Sequence, residues 1–191
     1  RTWIRGRPVT VGGMAKGAGM IHPHLATLLA LIVTDALASP PVLQAILRQV
    51  VARSFNAITV DGDTSTNDTL LLLANGQAGY PGLADAEASD AAVLAEAVEA
   101  VATYLAQAVV RDGEGASRFV TIVVGGAVDD ADAHRAAMAV ARSSLVKTAI
   151  YGGDPNWGRV LCAIGYSGAE VDPARTTLWF GDLALVAGGQ P

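Results

Sequence analysis

The apolar stripe of Val93, Leu94, Ala97, Val98, Val101, Leu105, Ala108 and Val109 constrains this chain more than any other feature. Residues three and four apart share one face of a helix, so the stripe predicts a helix from about Asp90 to Val110. Whatever the chain folds into must cover that face. The helix is expected to stop at "RDGEG", residues 111–115. Upstream, "TLLALIVT" at 27–34 is apolar and β-branched toward its end, as a buried strand is. Ser39 then offers a helix N-cap and Pro40 suits the first helical position. Leu43, Ile46, Leu47, Val50, Val51 and Phe55 keep one face of that helix apolar. "ITV" at 58–60 and "TLLLLAN" at 69–75 read as two strands flanking the polar loop "DGDTSTND".

Downstream, "RFVTIVVGGAV" (118–128) reads as a strand and the acid-led run 129–150 as a helix. "RVLCAIGY" (159–166) reads as a further strand, and "RTTLWFGDLAL" (175–185) as one or two more. "GGMAKGAGM" (12–20) reads as a turn-rich loop. The pattern gives an α/β (α+β) class with mixed sheets layered with helices, in two units: 1–115, and a smaller α+β unit at 116–191. Composition agrees, since 51% of the 191 residues are hydrophobic and the mean hydropathy is +0.38, enough for a sizeable core. Twenty-one glycines and only 5% aromatics suit helices packed closely on sheets.

The formal charge is −5 with an isoelectric point near 5.0. The thirteen Lys and Arg are scattered, which argues against nucleic acid or anionic lipid as partners. The longest apolar run, Ala26 to Val33, is too short to span a bilayer. Cys162 is the only cysteine, so a reducing compartment, the cytoplasm, is expected. "RTWIRGRP" at the start has no apolar stretch of a secretory leader. Without an initiating Met, the chain reads as a piece of something longer.

Several motifs have bland readings that come first. Lys16 precedes Gly17 rather than following the last glycine of a phosphate loop, so nucleotide binding is discounted. His22 and His24 form an H-x-H pair, but Pro23 lies between them and no third metal ligand has fitting spacing. Cys162 in "VLCAI" reads as a buried core thiol, and His134 on a polar helix start as exposed. No G-x-S-x-G elbow supports a serine hydrolase. "DGDTSTNDT" (61–69) reads first as a self-satisfying turn network and second as a polar floor under a site. Asn156 and Arg159 in "GGDPNWGR" are read as fixing a loop or binding a carboxylate. Glu114 sits between two glycines, which lets its carboxylate approach a ligand closely. Thr27 alone reads as a strand-start hydroxyl.

Taken together, "GGMAKGAGMIHPHLATLL", "DGDTSTNDTLLLLANG", "VVRDGEGASRF" and "KTAIYGGDPNWGRVLCAIG" resemble the ornithine acetyltransferase family, the bifunctional glutamate N-acetyltransferases of arginine biosynthesis. The four blocks occur in the family's order. The resemblance implies a self-cleaving sandwich of the N-terminal-nucleophile kind, split between Ala26 and Thr27, with Thr27 as the catalytic nucleophile. It implies ping-pong transfer of acetyl from N-acetylornithine to glutamate, with Lys16, Thr27 and Glu114 binding substrate. No coenzyme is needed for that exchange, and acetyl-CoA stands open as a further acetyl donor. It also implies a missing N-terminal α chain and a heterotetramer of two α and two β chains. The family's oxyanion-hole pair falls outside this chain, and one such donor supplies on the order of 3 kcal/mol, so the isolated piece is expected to be nearly inactive. The rival readings are an N-terminal-threonine amidohydrolase or aminopeptidase, a paralogue with another acceptor, and a truncated inactive copy.

Overall fold

The long apolar stripe meets a three-stranded sheet. The computed structural model describes residues 1–22, 28–83 and 88–191, and the chain divides into two units, Arg1–Ala116 and Ser117–Pro191.

In the first unit, β3 (Val11–Lys16) pairs antiparallel with β4 (Leu29–Thr34), which pairs in parallel with β5 (Thr69–Ala74). A parallel pair needs a crossover, and α1 (Pro40–Arg53) supplies it. Alternation along the strands decides what faces inward. Ala30, Ile32 and Leu72 are buried, while Leu29, Val33, Leu71 and Leu73 are exposed. The inward face is covered by α1, through Val42, Ile46 and Val50, and by α2 (Ser89–Arg111). On α2 the buried residues are Ala91, Leu94, Ala95, Val98, Ala102, Leu105, Ala106 and Val109. Alanines thus share the stripe with the branched residues and let the helix lie close. By length and composition α2 is also apolar enough to cross a membrane, but this buried stripe lies in the core of the unit.

Close approach explains one departure from the sequence reading. Residues 11–16 form a strand, not a loop. A Cβ on Gly13 would stand 2.9 Å from the Leu31 carbonyl oxygen and 3.0 Å from Leu105 Cδ1, so glycine there is a packing requirement of α2 against the strand. Residues 58–60 form no strand; after a 3-10 turn at Phe55–Ala57, Val60 N–H donates to the Ile21 carbonyl at 2.8 Å. Ahead of the sheet, β1 (Thr2–Ile4) and β2 (Arg7–Val9) form a hairpin. Its turn holds Arg5 at φ 50° and Gly6 at φ 72°, the backbone of a type I′ turn. Arg5 Nε donates to Asp90 Oδ2 at 2.6 Å, which ties the turn to the start of α2.

The second unit contains α3 (Asp130–Arg142), α4 (Ser144–Tyr151), α5 (Trp157–Gly165) and the hairpin β6 (Leu178–Phe180) and β7 (Leu183–Val186). The expected helix over 129–150 is broken at Ser143, whose Oγ accepts from Val146 N–H and caps α4. Residues 118–128 form no strand among the described residues. Ile122 from this run packs on the small core of Val140, Val146, Val160 and Ala163, while Val123 is 86% exposed.

The expected strand at 159–166 is a helix. Asn156 Oδ1 accepts from Arg159 N–H at 3.1 Å, and Val160, Ala163 and Ile164 turn inward at helical spacing. A short apolar run fits strand and helix alike, and here the cap decides. The same geometry corrects the reading of Cys162: it lies on the outer side of α5 and is exposed. His134 is half-buried rather than exposed. In α3, the buried Asp132 pairs with Arg135 and accepts from Glu170 N–H at 3.0 Å.

Candidate functional site

Lys16 ends β3, where it pairs in register with Leu29. The chain then leaves the sheet through Gly17, Ala18, Gly19 and Met20 and reaches the buried Ile21. Because α2 crosses β3, its C-terminal end arrives beside this segment, and Glu114 N–H donates to the Ala18 carbonyl at 2.8 Å. A Cβ on Gly19 would stand 3.0 Å from Glu114 Oε1. Glycine there lets the carboxylate lie close against the loop backbone.

The result is an open cleft of about 860 Å³, with Leu105, Ala108 and Val109 as apolar wall and Lys16, Asp61, Asp63, Asp112 and Glu114 as charged lining. Among the described residues, neither the Lys16 ammonium nor the Glu114 carboxylate has a hydrogen-bonding or ionic partner. An uncommitted cation and an uncommitted anion in one cleft complement a ligand that carries both charges. Asp112 and the Asp61–Asp63 pair were not singled out individually from sequence. Their signal lay in "RDGEG" and in the reading of "DGDTSTNDT" as a polar floor.

That polar loop divides its work between two aspartates. Asp61 accepts from three backbone donors: Met20 N–H at 2.7 Å, Ile21 N–H at 3.1 Å and Asp63 N–H at 3.0 Å. Asp68 accepts from Leu28 N–H at 2.7 Å, and Thr69 N–H donates to the Leu28 carbonyl at 3.0 Å. Burial pushes the Asp68 carboxyl above its ordinary value, and the bond from Leu28 offsets part of that rise. His22 Nδ1 lies 3.1 Å from Thr59 Oγ1.

His24, Ala26 and Thr27, and with them the expected cleavage point, lie outside the described residues. No group of three metal-binding side chains occurs among the described residues. Asn156 and Arg159 belong to the second unit, where Arg159 Nη1 donates to the Leu145 carbonyl at 2.9 Å and lies 3.1 Å from Thr148 Oγ1. Arg159 thus fixes α5 to α4, and Asn156 caps α5.

Comparison with known proteins places these features in context. The model of the ArgJ family matches residues 1–191. The arginine biosynthesis bifunctional protein ArgJ of Symbiobacterium thermophilum is 52% identical over all of this chain and 47% of its own length. Its counterpart in Geobacter sulfurreducens is 55% identical over 94% of this chain and 46% of its own. A form named as mitochondrial, from Heterostelium pallidum, is 51% identical over 93% of this chain and 41% of its own. The crystal structure of the arginine biosynthesis bifunctional protein ArgJ of Bacillus halodurans superposes with a TM-score of 0.80 at 40% identity, covering 85% of this chain and 75% of that one. The chain spans about half the length of the curated relatives it matches.

Proposed function

The chain belongs to the ArgJ family, and we propose that it carries the nucleophile and part of the amino-acid site of an enzyme that moves an acetyl group from N-acetylornithine to glutamate. The observation that carries this reading is the cleft in which Lys16 and Glu114 stand with opposite charges that no described side chain neutralises. The Lys16 ammonium suits a substrate carboxylate, and the Glu114 carboxylate suits the amino acid's ammonium.

In this reading Thr27 Oγ attacks the Ala26 carbonyl carbon, the peptide C–N bond breaks, and the acyl chain passes from nitrogen to oxygen. Water then hydrolyses the ester, leaving a carboxylate on Ala26 and a free α-amino group on Thr27. An α-amino group has an ordinary pKa of about 8, so it can take the proton from the neighbouring hydroxyl. Transfer follows in two halves. Thr27 Oγ attacks the acetyl carbonyl of N-acetylornithine and ornithine leaves with the returned proton. The glutamate amine then attacks the acetyl-threonine ester and regenerates the hydroxyl. The exchange balances without a coenzyme, and acetyl-CoA would enter as an alternative donor to the same threonine.

The partner in this reading is the remainder of the protein, an N-terminal α chain, in an assembly of two α and two β chains in a reducing compartment. The exposed apolar face of the sheet, with Met14, Leu29, Val33, Leu71 and Leu73, supports a further layer packed there.

The test is intact-mass spectrometry and an acetyl-exchange assay on the full open reading frame, as wild type and as Thr27→Ala. Two fragments meeting between Ala26 and Thr27, together with exchange activity, are expected in the wild type only. An uncleaved Thr27→Ala protein with normal exchange would end this reading. Free acetate released without glutamate would instead indicate a hydrolase.

A further inference from the structure

Met20 is one of two non-glycine residues with positive φ among those described, at 53°, a left-handed conformation that a side chain makes unfavourable. It persists only where the surroundings impose it. Met20 N–H donates to Asp61 Oδ2 at 2.7 Å and Ile21 N–H to Asp61 Oδ1 at 3.1 Å. Asp63 N–H occupies Oδ1 as well, at 3.0 Å, which fixes the orientation of the carboxylate itself. One carboxylate, reaching across 41 positions of sequence, thus imposes the bend.

The bend has consequences on both sides of the cleft. At one end of the segment is Lys16 and in its middle is Gly19, against which the Glu114 carboxylate rests so closely that a Cβ would stand 3.0 Å from Oε1. Ala18 holds the backbone of Glu114 at 2.8 Å. If the segment moves, Lys16 and Glu114 change their separation. Ile21 is anchored separately, by its burial and by the 2.8 Å bond from Val60 to its carbonyl, so removal of Asp61 frees residues 17–20 without releasing the core.

We propose that Asp61 is the positioning residue of the cleft: its carboxylate holds the segment from Gly17 to Ile21 in the bend that sets Lys16 opposite Glu114. Both of its oxygens are committed to backbone N–H groups, so it acts through the loop and not by touching substrate. The inference rests on the reading that Lys16 and Glu114 bind the amino acid.

The experiment uses the full open reading frame and steady-state exchange kinetics for Lys16→Ala, Asp61→Ala, Asp61→Asn and Asp61→Ala combined with Met20→Gly. Asp61→Ala is expected to raise KM about tenfold with kcat within about twofold and the Tm little changed, the signature of lost binding shared by ground state and transition state. Asp61→Asn keeps one acceptor oxygen and is expected to fall between. Glycine adopts the left-handed conformation freely, so Met20→Gly should lower the KM of the Asp61→Ala protein. A raised KM in Lys16→Ala beside a wild-type KM in Asp61→Ala overturns the proposal alone. A wild-type KM in Lys16→Ala overturns the binding reading, and the proposal with it. Should Asp61→Ala fail to fold, Asp61→Asn decides: a raised KM that Met20→Gly lowers supports the proposal, and an unchanged KM overturns it.

Discussion

Two aspartates seven positions apart show how environment, not residue type, sets the behaviour of a carboxylate. Asp61 is exposed and surrounded by three backbone donors. Asp68 is half-buried with one donor among the described residues, Leu28 N–H, and loss of water around it outweighs that bond. Its folded pKa is therefore raised above the unfolded one. In the acid window above the ordinary value of 3.8 the native state holds this proton more tightly, so the contribution of Asp68 to stability is full below that value and is lost as pH rises through the folded pKa. Asp68→Asn keeps an acceptor for Leu28 and removes the charge. We expect the Asn variant to match or exceed the wild-type Tm at neutral pH, with its advantage shrinking as pH is lowered toward 4. Melting curves across that range check this, and an advantage that grows on acidification would contradict it.

At the scale of elements, α2 carries the first unit. Leu94 and Val98 have no exposed surface, and the helix packs on β3 where Gly13 leaves no space. Leu94→Ala removes a fully buried side chain and leaves a cavity, a loss of about 2–5 kcal/mol. Tyr104 on the same helix is 71% exposed, and its replacement by alanine should change stability by no more than about 0.5 kcal/mol. Urea denaturation followed by far-UV circular dichroism distinguishes the two. Equal midpoints for the two variants would mean that α2 is not held by this stripe. The contrast also explains why the helix shares a length and an apolar composition with membrane spans: its alanine-rich face serves close packing.

At the scale of the whole molecule, the sheet has one covered face and one bare one. Leu29, Leu31 and Val33 of β4 pair in register with Thr69, Leu71 and Leu73 of β5, and Met14 of β3 pairs with Leu31. This makes a contiguous apolar surface of a kind that soluble monomers seldom leave open. The chain expressed alone is expected to bind a hydrophobic dye and to self-associate, and Leu71→Lys with Leu73→Lys to reduce both. The same pair in the full open reading frame should lower its melting temperature, because in the proposed reading a further layer packs on the face there. Light scattering and dye titration give the result directly. A monodisperse wild-type chain that leaves the dye unbound would contradict this reading of the face.

Periodicity marked α1 and α2, where the apolar residues recur at three- and four-residue spacing over many positions, and β4 and β5 were readable as short apolar runs, β4 with β-branched residues toward its end. Lys16 and Glu114 stood out as candidates through the resemblance of their motifs to the ornithine acetyltransferase family. Short runs were different. "VLCAIG" became α5 because Asn156 caps it, "RFVTIVV" has no ladder among the described residues because no neighbouring strand meets it, and Gly13 of β3 is a strand residue over which Leu105 and Val101 of α2 pack closely. Nothing within 98 residues of sequence separation tells Lys16 that Glu114 is beside its loop, or that Asp61 sets the bend between them. Local periodicity is a property of neighbours along the chain and survives in the sequence. The cleft depends on backbone bonds between distant segments, and those exist only once α2 has crossed the sheet.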